Sequence, residues 1–211
     1  MECLFSRAIC LHSIEKATAA HRYADIVGLA MARKWRLWWV ELFAGPGRLY
    51  VRETGEYRAG SPVEAMSIRR PFDGYVFNDL SKPCVESLRR RVSGRSVHLL
   101  QGDANSPDVL DQIAAIVPRK RSLVVLYADP EGLDLKFETV KFFIDRYPHL
   151  DLLLDLPVEG VVRALSAGYE EKASSFLDHP EPQMLIETSA AKGIRASASA
   201  DLQGFLLPWQ R

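Results

Sequence analysis

The chain has 211 residues, 47% of them hydrophobic, and its 27 lysines and arginines are balanced by 27 aspartates and glutamates. That is enough apolar material for one full α/β core, which excludes whole-chain disorder. A formal net charge of zero excludes a chain built overall for nonspecific nucleic-acid binding.

The three cysteines, Cys3, Cys10 and Cys84, form no C-x-x-C pair, which argues for a reducing compartment and against a structural zinc site. No apolar run is long enough to span a bilayer, and the first residues hold no signal-peptide cleavage region, so the expected location is cytoplasmic with no membrane partner. Three basic runs stand out: Arg33-Lys34-Arg36, Arg89-Arg90-Arg91 and Arg119-Lys120-Arg121. Taken singly, such runs are expected to be solvated helix faces or loops.

In chain order, Ile14 to Lys34 has helical patterning and leads into the apolar run Leu37-Trp38-Trp39-Val40, read as a buried strand. Glu41 closes that strand, and Phe43-Ala44-Gly45-Pro46-Gly47 turns behind it. Arg48 to Ala59 reads as a loop or short hairpin inserted before the next helix. That helix opens at Gly60-Ser61-Pro62-Val63-Glu64, with Ser61 expected as N-cap, Pro62 in the first turn and Glu64 completing a capping box.

Tyr75 to Phe77, Val97 to Leu100, Ser122 to Tyr127 and Leu150 to Leu156 are four further strands. Between them, Lys82 to Val92 is a helix capped by Ser81, a second helix starts at Ser106-Pro107-Asp108, and Phe137 to Tyr147 is amphipathic. Strands alternating with helices predict a Rossmann-like, doubly wound, mostly parallel sheet. After Gly168 the pattern weakens, and Gln183 to Thr188 is one more strand or a helix piece. The expected organisation is a helical lead-in over 1–36, an α/β domain over 37–168, and a divergent or truncated segment of the same domain over 169–211.

Four consecutive strands end in an acid: Glu41, Asp79, Asp103 and Asp129. In a parallel sheet all four ends lie along the edge where ligands bind. A carboxylate at the first strand end repels a pyrophosphate and attracts an ammonium group or a ribose hydroxyl. That favours S-adenosylmethionine (SAM) over NAD or ATP, and the third glycine of the dinucleotide fingerprint is missing. In this reading Phe43, Ala44, Gly45, Pro46 and Gly47 form the cofactor turn. Glu41 faces the aminopropyl part, and Asp79 accepts from the ribose hydroxyls. Asp103 accepts from the adenine amine beside the Ala104 amide, and Asp129 sits next to the transferred methyl.

The motifs Phe43-Ala44-Gly45-Pro46-Gly47, Gly60-Ser61-Pro62, Gly102-Asp103-Ala104-Asn105 and Asp129-Pro130, followed by Asp151, Pro157 and Arg163, carry a resemblance. Over roughly His12 to Gly168 the chain resembles the three-Cys-motif partner proteins (TcmP), bacterial proteins with a fold of the SAM-dependent methyltransferase type. The resemblance implies a methyltransferase-like domain and a three-Cys-motif protein from the same gene neighbourhood as partner; from the residues, SAM is the expected cofactor, no metal is expected, and Asp129 and Pro130 are the expected catalytic residues. The resemblance supplies no acceptor. Glu131 stands where an aromatic residue is usual, and a full methyltransferase sheet needs two further strands, which the stretch after Gly168 is expected not to provide in full.

Two functional expectations follow. One is a SAM-dependent methyltransferase acting on a nitrogen or oxygen acceptor, and the other is a methyltransferase-fold partner protein without turnover. The basic runs add nucleic-acid modification as a third reading. Pro83-Cys84 resembles the nucleophile dipeptide of cytosine-C5 methyltransferases, but it follows the second strand rather than the fourth, so Cys84 is expected to be a packing residue. The five histidines have no metal-ligand spacing.

Overall fold

The computed structural model describes residues 6–9, 11–94, 96–130 and 132–182. β1 (Arg7–Ile9) and α1 (Leu11–Met31) lead into β2 (Arg36–Glu41). A hairpin of β3 (Arg48–Val51) and β4 (Tyr57–Ala59) follows, then α2 (Ser61–Met66) and β5 (Gly74–Asp79). The chain continues through α3 (Lys82–Arg89), β6 (Val97–Gln101), α4 (Pro107–Ile116), β7 (Ser122–Ala128), α5 (Phe137–Arg146) and β8 (Leu150–Leu154). It closes with α6 (Val158–Ser166) and α7 (Glu170–Leu177).

The described residues within 1–129 and 141–154 form one compact unit, and those within 130–140 and 155–211 form a second. The first unit holds an all-parallel sheet in the order β6-β5-β2-β7-β8. Successive crossovers therefore build outward from β2 on one side, then return to build outward on the other. This is the expected Rossmann-like α/β arrangement, and its topological switch point lies between β2 and β7.

Parallel strands need cover on both faces, which is why these strands read as continuous apolar runs. On one face Leu37, Trp39, Tyr75, Phe77, Val125 and Tyr127 pack with Ala20, Ala24 and Val27 of α1 and with Ala65 of α2. The alternate residues Val40, Val76, Val124 and Leu126 are also buried. Each large apolar side chain buried this way contributes about 1.5–3 kcal/mol. Gly74 sits opposite Trp38 in the β2–β5 register, and a Cβ there would run into the indole ring. Tyr23 of α1 donates to Asp151 Oδ2 of β8 at 2.9 Å.

The inserted segment after the glycine turn is a hairpin, and β1 adds to it in parallel, giving the sheet order β1-β3-β4. β1 has no counterpart in the sequence reading, because three residues are too few to show a period. The Gly60 amide donates to the Gly47 carbonyl at 3.0 Å, closing the base of the excursion.

Ser81 and Ser106 cap α3 and α4 as expected, accepting from the amides of Cys84 and Val109. Ser61 does not cap α2. Gly60 occupies the N-cap and has no side chain to make a cap bond, while Ser61 is the first helical residue and donates its hydroxyl to Glu41. β8 ends at Leu154, two residues earlier than expected.

In the second unit Leu133, Leu135, Val161, Ala173 and Phe176 are buried, and Lys172 Nζ meets Asp134 Oδ1 at 2.8 Å. The segment just after Gly168 forms α7. Glu131 and the expected element over Gln183 to Thr188 lie outside the described residues.

Candidate cofactor site at the carboxyl edge of the sheet

The four strand-end acids share one edge but are not level. Glu41 pairs with Phe77 and with Tyr127, so Asp79 and Asp129 each stand two residues beyond it. Asp79 pairs with Gln101, so Asp103 stands a further two residues out. Each step of two residues is about 6.6 Å along the strand direction. Glu41 thus lies deepest, with Asp79 and Asp129 on its two flanks.

Glu41 is 1% exposed. Its Oε1 accepts from Ser61 Oγ at 2.5 Å and its Oε2 from Trp39 Nε1 at 3.0 Å. Trp39 and Glu41 are two apart on one strand, so their side chains share a face. Burial pushes the Glu41 carboxyl up to about 8; the two hydrogen bonds pull it down, and the charges of Asp129 and Asp79 push it up further. Close to neutral pH this acid is largely protonated.

Asp79 is 7% exposed and acts on the backbone. Its Oδ2 accepts the Gly45 amide at 2.7 Å and its Oδ1 the Ser81 amide at 2.8 Å. A carboxylate offers about four lone-pair sites, and the Cys84 thiol also hydrogen-bonds to Asp79, so about one remains for a ligand. The neighbouring Asn78 is a clip: its Nδ2 donates to the carbonyls of Leu42 and Gly102, both at 3.1 Å, while its own carbonyl accepts the Ala44 amide. Its Oδ1 is buried without a hydrogen-bond partner among the described residues.

The turn itself is held from several sides. Gly45 and Gly47 have φ of +62° and +70°, the left-handed region that favours glycine. The Pro46 carbonyl accepts from Ser87 Oγ at 3.1 Å and from Arg91 at 3.4 Å, both on or just past α3. A Cβ on Gly47 would meet Leu88 Cδ1 at 2.7 Å, whereas among the described residues a Cβ on Gly45 would meet only Arg7 Nη1, at 4.0 Å. The two glycines therefore differ: Gly47 is pressed against α3, and Gly45 faces open space beside a guanidinium. Because the Gly45 amide is already given to a carboxylate, it is not presented to a phosphate.

Asp103 is exposed, and its Oδ1 accepts both the backbone amide and Nδ2 of Asn105, a local turn that feeds α4. Ala104 is buried and Phe43 half-buried. Asp129 is half-buried on the flank of Glu41. Pro130 is buried and belongs to the second unit.

Cys84 is buried, and burial pushes its thiol up, which fits packing. His21 does not join the edge; its Nδ1 lies 2.9 Å from the Glu64 carbonyl oxygen. Among the described residues no group of three or more His, Cys, Asp or Glu side chains is arranged to hold a metal ion.

Sequence reasoning missed Trp39 and Ser61 as the partners of Glu41, Asn78 as the clip, and Arg7 beside the turn. The two-residue spacing of Trp39 and Glu41 was a usable signal. For Ser61, 20 residues away, there was none.

No family model matches the chain, and no curated protein matches it. Among solved structures, the crystal structure of protein LPL1258 from Legionella pneumophila, described as DUF519, is similar in fold. It has a TM-score of 0.52 at 14% identity, over 76% of this chain and 74% of that one. This likeness shows the Rossmann-like fold alone.

Proposed function

We propose that this chain binds SAM at the carboxyl edge of its sheet and is a methyltransferase-like protein. The observation that carries the reading is the placement of Glu41 and Asp129 on either side of the β2–β7 switch point, with the open face of Gly45 alongside. The surroundings fit a cationic, non-phosphate ligand. A positive sulfonium or ammonium group is attracted by Asp79 and Asp129 and favours the ionised form of Glu41, and the Gly45 amide has no donor capacity left for a pyrophosphate.

In this reading Arg7 takes the ligand carboxylate, Asp79 uses its remaining lone pair on the ribose, and the Gly102 to Ala104 turn borders the adenine. Bound SAM supplies an electrophilic methyl group on a good leaving group. The chain's own contribution is then alignment, with Asp129 and Pro130 orienting a nitrogen or oxygen acceptor. The resemblance to the TcmP proteins supports this assignment, and with it a cytoplasmic location and a three-Cys-motif partner.

A second reading, a partner protein without turnover, is favoured by a different observation. Both oxygens of Glu41 and both of Asp79 already bind groups within the chain, so these acids stabilise the fold whether or not a ligand is present.

Calorimetric titration with SAM and S-adenosylhomocysteine, using NADH and ATP as controls, tests the cofactor. Saturable binding of the adenosyl ligands that neither NADH nor ATP displaces is expected. Absence of binding by the folded chain overturns SAM binding and leaves the partner reading. Tight SAM binding with no methyl transferred to any cellular fraction separates cofactor binding from turnover.

A further inference from the structure

Two of the basic runs, 80 or more positions apart in the chain, meet at the opposite end of the sheet. A cavity of about 370 Å³ is lined by Arg33, Lys34, Arg36, Lys120 and Arg121 together with Trp35 and Asp73. It lies at the amino ends of β2 and β7, where the Arg36 amide donates to the Arg121 carbonyl at 2.9 Å. Five residue steps along β2 lead from Arg36 in its lining to Glu41, a rise of about 17 Å. It is therefore a separate place from the cofactor edge.

Each run by itself has an ordinary explanation, since cations suit the carboxyl ends of helices and both runs follow one, α1 and α4. That explanation does not account for their convergence. Five cations surround one carboxylate, and Asp73 Oδ2 is already bonded to the Leu37 amide at 2.8 Å. Among the described residues none of the five cationic side chains has a carboxylate within ion-pair distance. Arg121 also holds a left-handed backbone, φ 59°, a conformation that a non-glycine residue keeps only when its surroundings impose it. Like-charged groups gathered in a concavity raise the local concentration of anions. Trp35 also lines the cavity, half-buried against the core and in tilted contact with His149, ring centroids 4.0 Å apart.

We propose that this cavity binds a phosphorylated nucleoside, its phosphates held by Arg33, Lys34, Arg36, Lys120 and Arg121 and its base laid against Trp35, either as a free nucleotide or as one unit of a single-stranded RNA. The volume falls in the range of small-ligand sites, and an aromatic wall with surrounding cations is the combination that holds a nucleotide unit without sequence preference.

The test uses the whole chain and two probes: a fluorescein-labelled single-stranded oligoadenylate followed by anisotropy, and ATP followed by quenching of tryptophan fluorescence. The variants are Arg33→Glu with Lys120→Glu, both exposed, and separately Trp35→Leu; Lys82→Glu on α3 is the charge control. Expected is saturable binding of at least one probe, weakened about tenfold or more by the double reversal, with a shallower dependence on salt, and unchanged in the control. Trp35→Leu is expected to lower affinity while leaving the salt dependence as it was. ATP that binds and displaces the oligonucleotide identifies a free nucleotide as the source, whereas oligonucleotide binding that ATP does not compete identifies a strand. No binding of either probe by the folded chain, or equal binding by wild type and the double variant, overturns the proposal. Circular dichroism of each variant confirms folding, and the outcome is independent of whether SAM binds at the other edge.

Discussion

Asp79 accepts the backbone amide of Gly45 at 2.7 Å, so the glycine turn behind β2 is held by the end of the neighbouring strand, β5. The same carboxylate accepts the Ser81 amide and thereby orients the entry to α3. Asp79→Ala leaves two amides without an acceptor and is expected to destabilise the fold by about 1–3 kcal/mol. It is also expected to weaken adenosyl-ligand affinity at least tenfold. Urea unfolding and calorimetry on the same preparation check both; unchanged affinity would remove Asp79 from the cofactor site.

Glu41 makes stability depend on pH in the direction opposite to that of an ordinary surface acid. Its folded value, about 8, lies above its unfolded value of 4.5. Between these values the unfolded chain has released the proton and the folded chain keeps it, so stability falls as pH rises through the window. Glu41→Gln imitates the protonated acid, with its amide toward Ser61 and its carbonyl toward Trp39. Relative to wild type, the variant should gain on the order of 2–5 kcal/mol between pH 5 and pH 8.5. Urea midpoints at the two pH values decide it, and parallel changes would show that Glu41 does not titrate this way.

A cationic ligand beside that carboxyl should drive its proton off. Titrations with SAM at pH 7, in buffers of different ionisation enthalpy, are expected to show release of up to one proton. That release should be absent in Glu41→Gln. Equal heats in all buffers would place the sulfonium and ammonium groups away from Glu41.

The two glycines of the turn should respond differently to alanine. Both pay for a left-handed backbone, roughly 1–2 kcal/mol. Only Gly47→Ala also drives a Cβ against Leu88, so it should be the less stable variant by urea unfolding. Gly45→Ala puts its methyl into open space next to Arg7, and should keep most of the fold while losing adenosyl binding. Full SAM affinity in Gly45→Ala would show that the ligand does not pass over this position.

Tyr23→Phe removes the hydrogen bond from α1 to Asp151 on β8 and should cost about 1 kcal/mol. Burial first, and then the Asp151 hydrogen bond and charge, push the Tyr23 hydroxyl up to about 12. Burial pushes the Tyr75 and Tyr147 hydroxyls up as well, so in an ultraviolet titration of the folded chain the late-ionising amplitude should shrink by one tyrosine in the variant rather than disappear.

Much of the architecture was legible in the residues alone. A parallel strand buried on both faces must be a continuous apolar run, so Leu37 to Val40, Tyr75 to Phe77 and Ser122 to Tyr127 announced themselves, and Ser81 and Ser106 marked their helix starts because a cap is a contact within four residues. The acids at the strand ends could be found the same way. Their relationships could not. Which acids flank Glu41 depends on strand order, which is a matter of distant pairing rather than local period. Ser61 read as a cap and became the donor to Glu41, 20 residues away, since the helix starts at Ser61 itself and Gly60 takes the cap position. The basic runs looked like separate solvated loops until β2 and β7, neighbours in the sheet and far apart in the chain, brought their amino ends together. Local periodicity reports what each segment buries; only the folded chain sets which segments bury it against each other, and both the depth of Glu41 and the basic cavity come from that second choice.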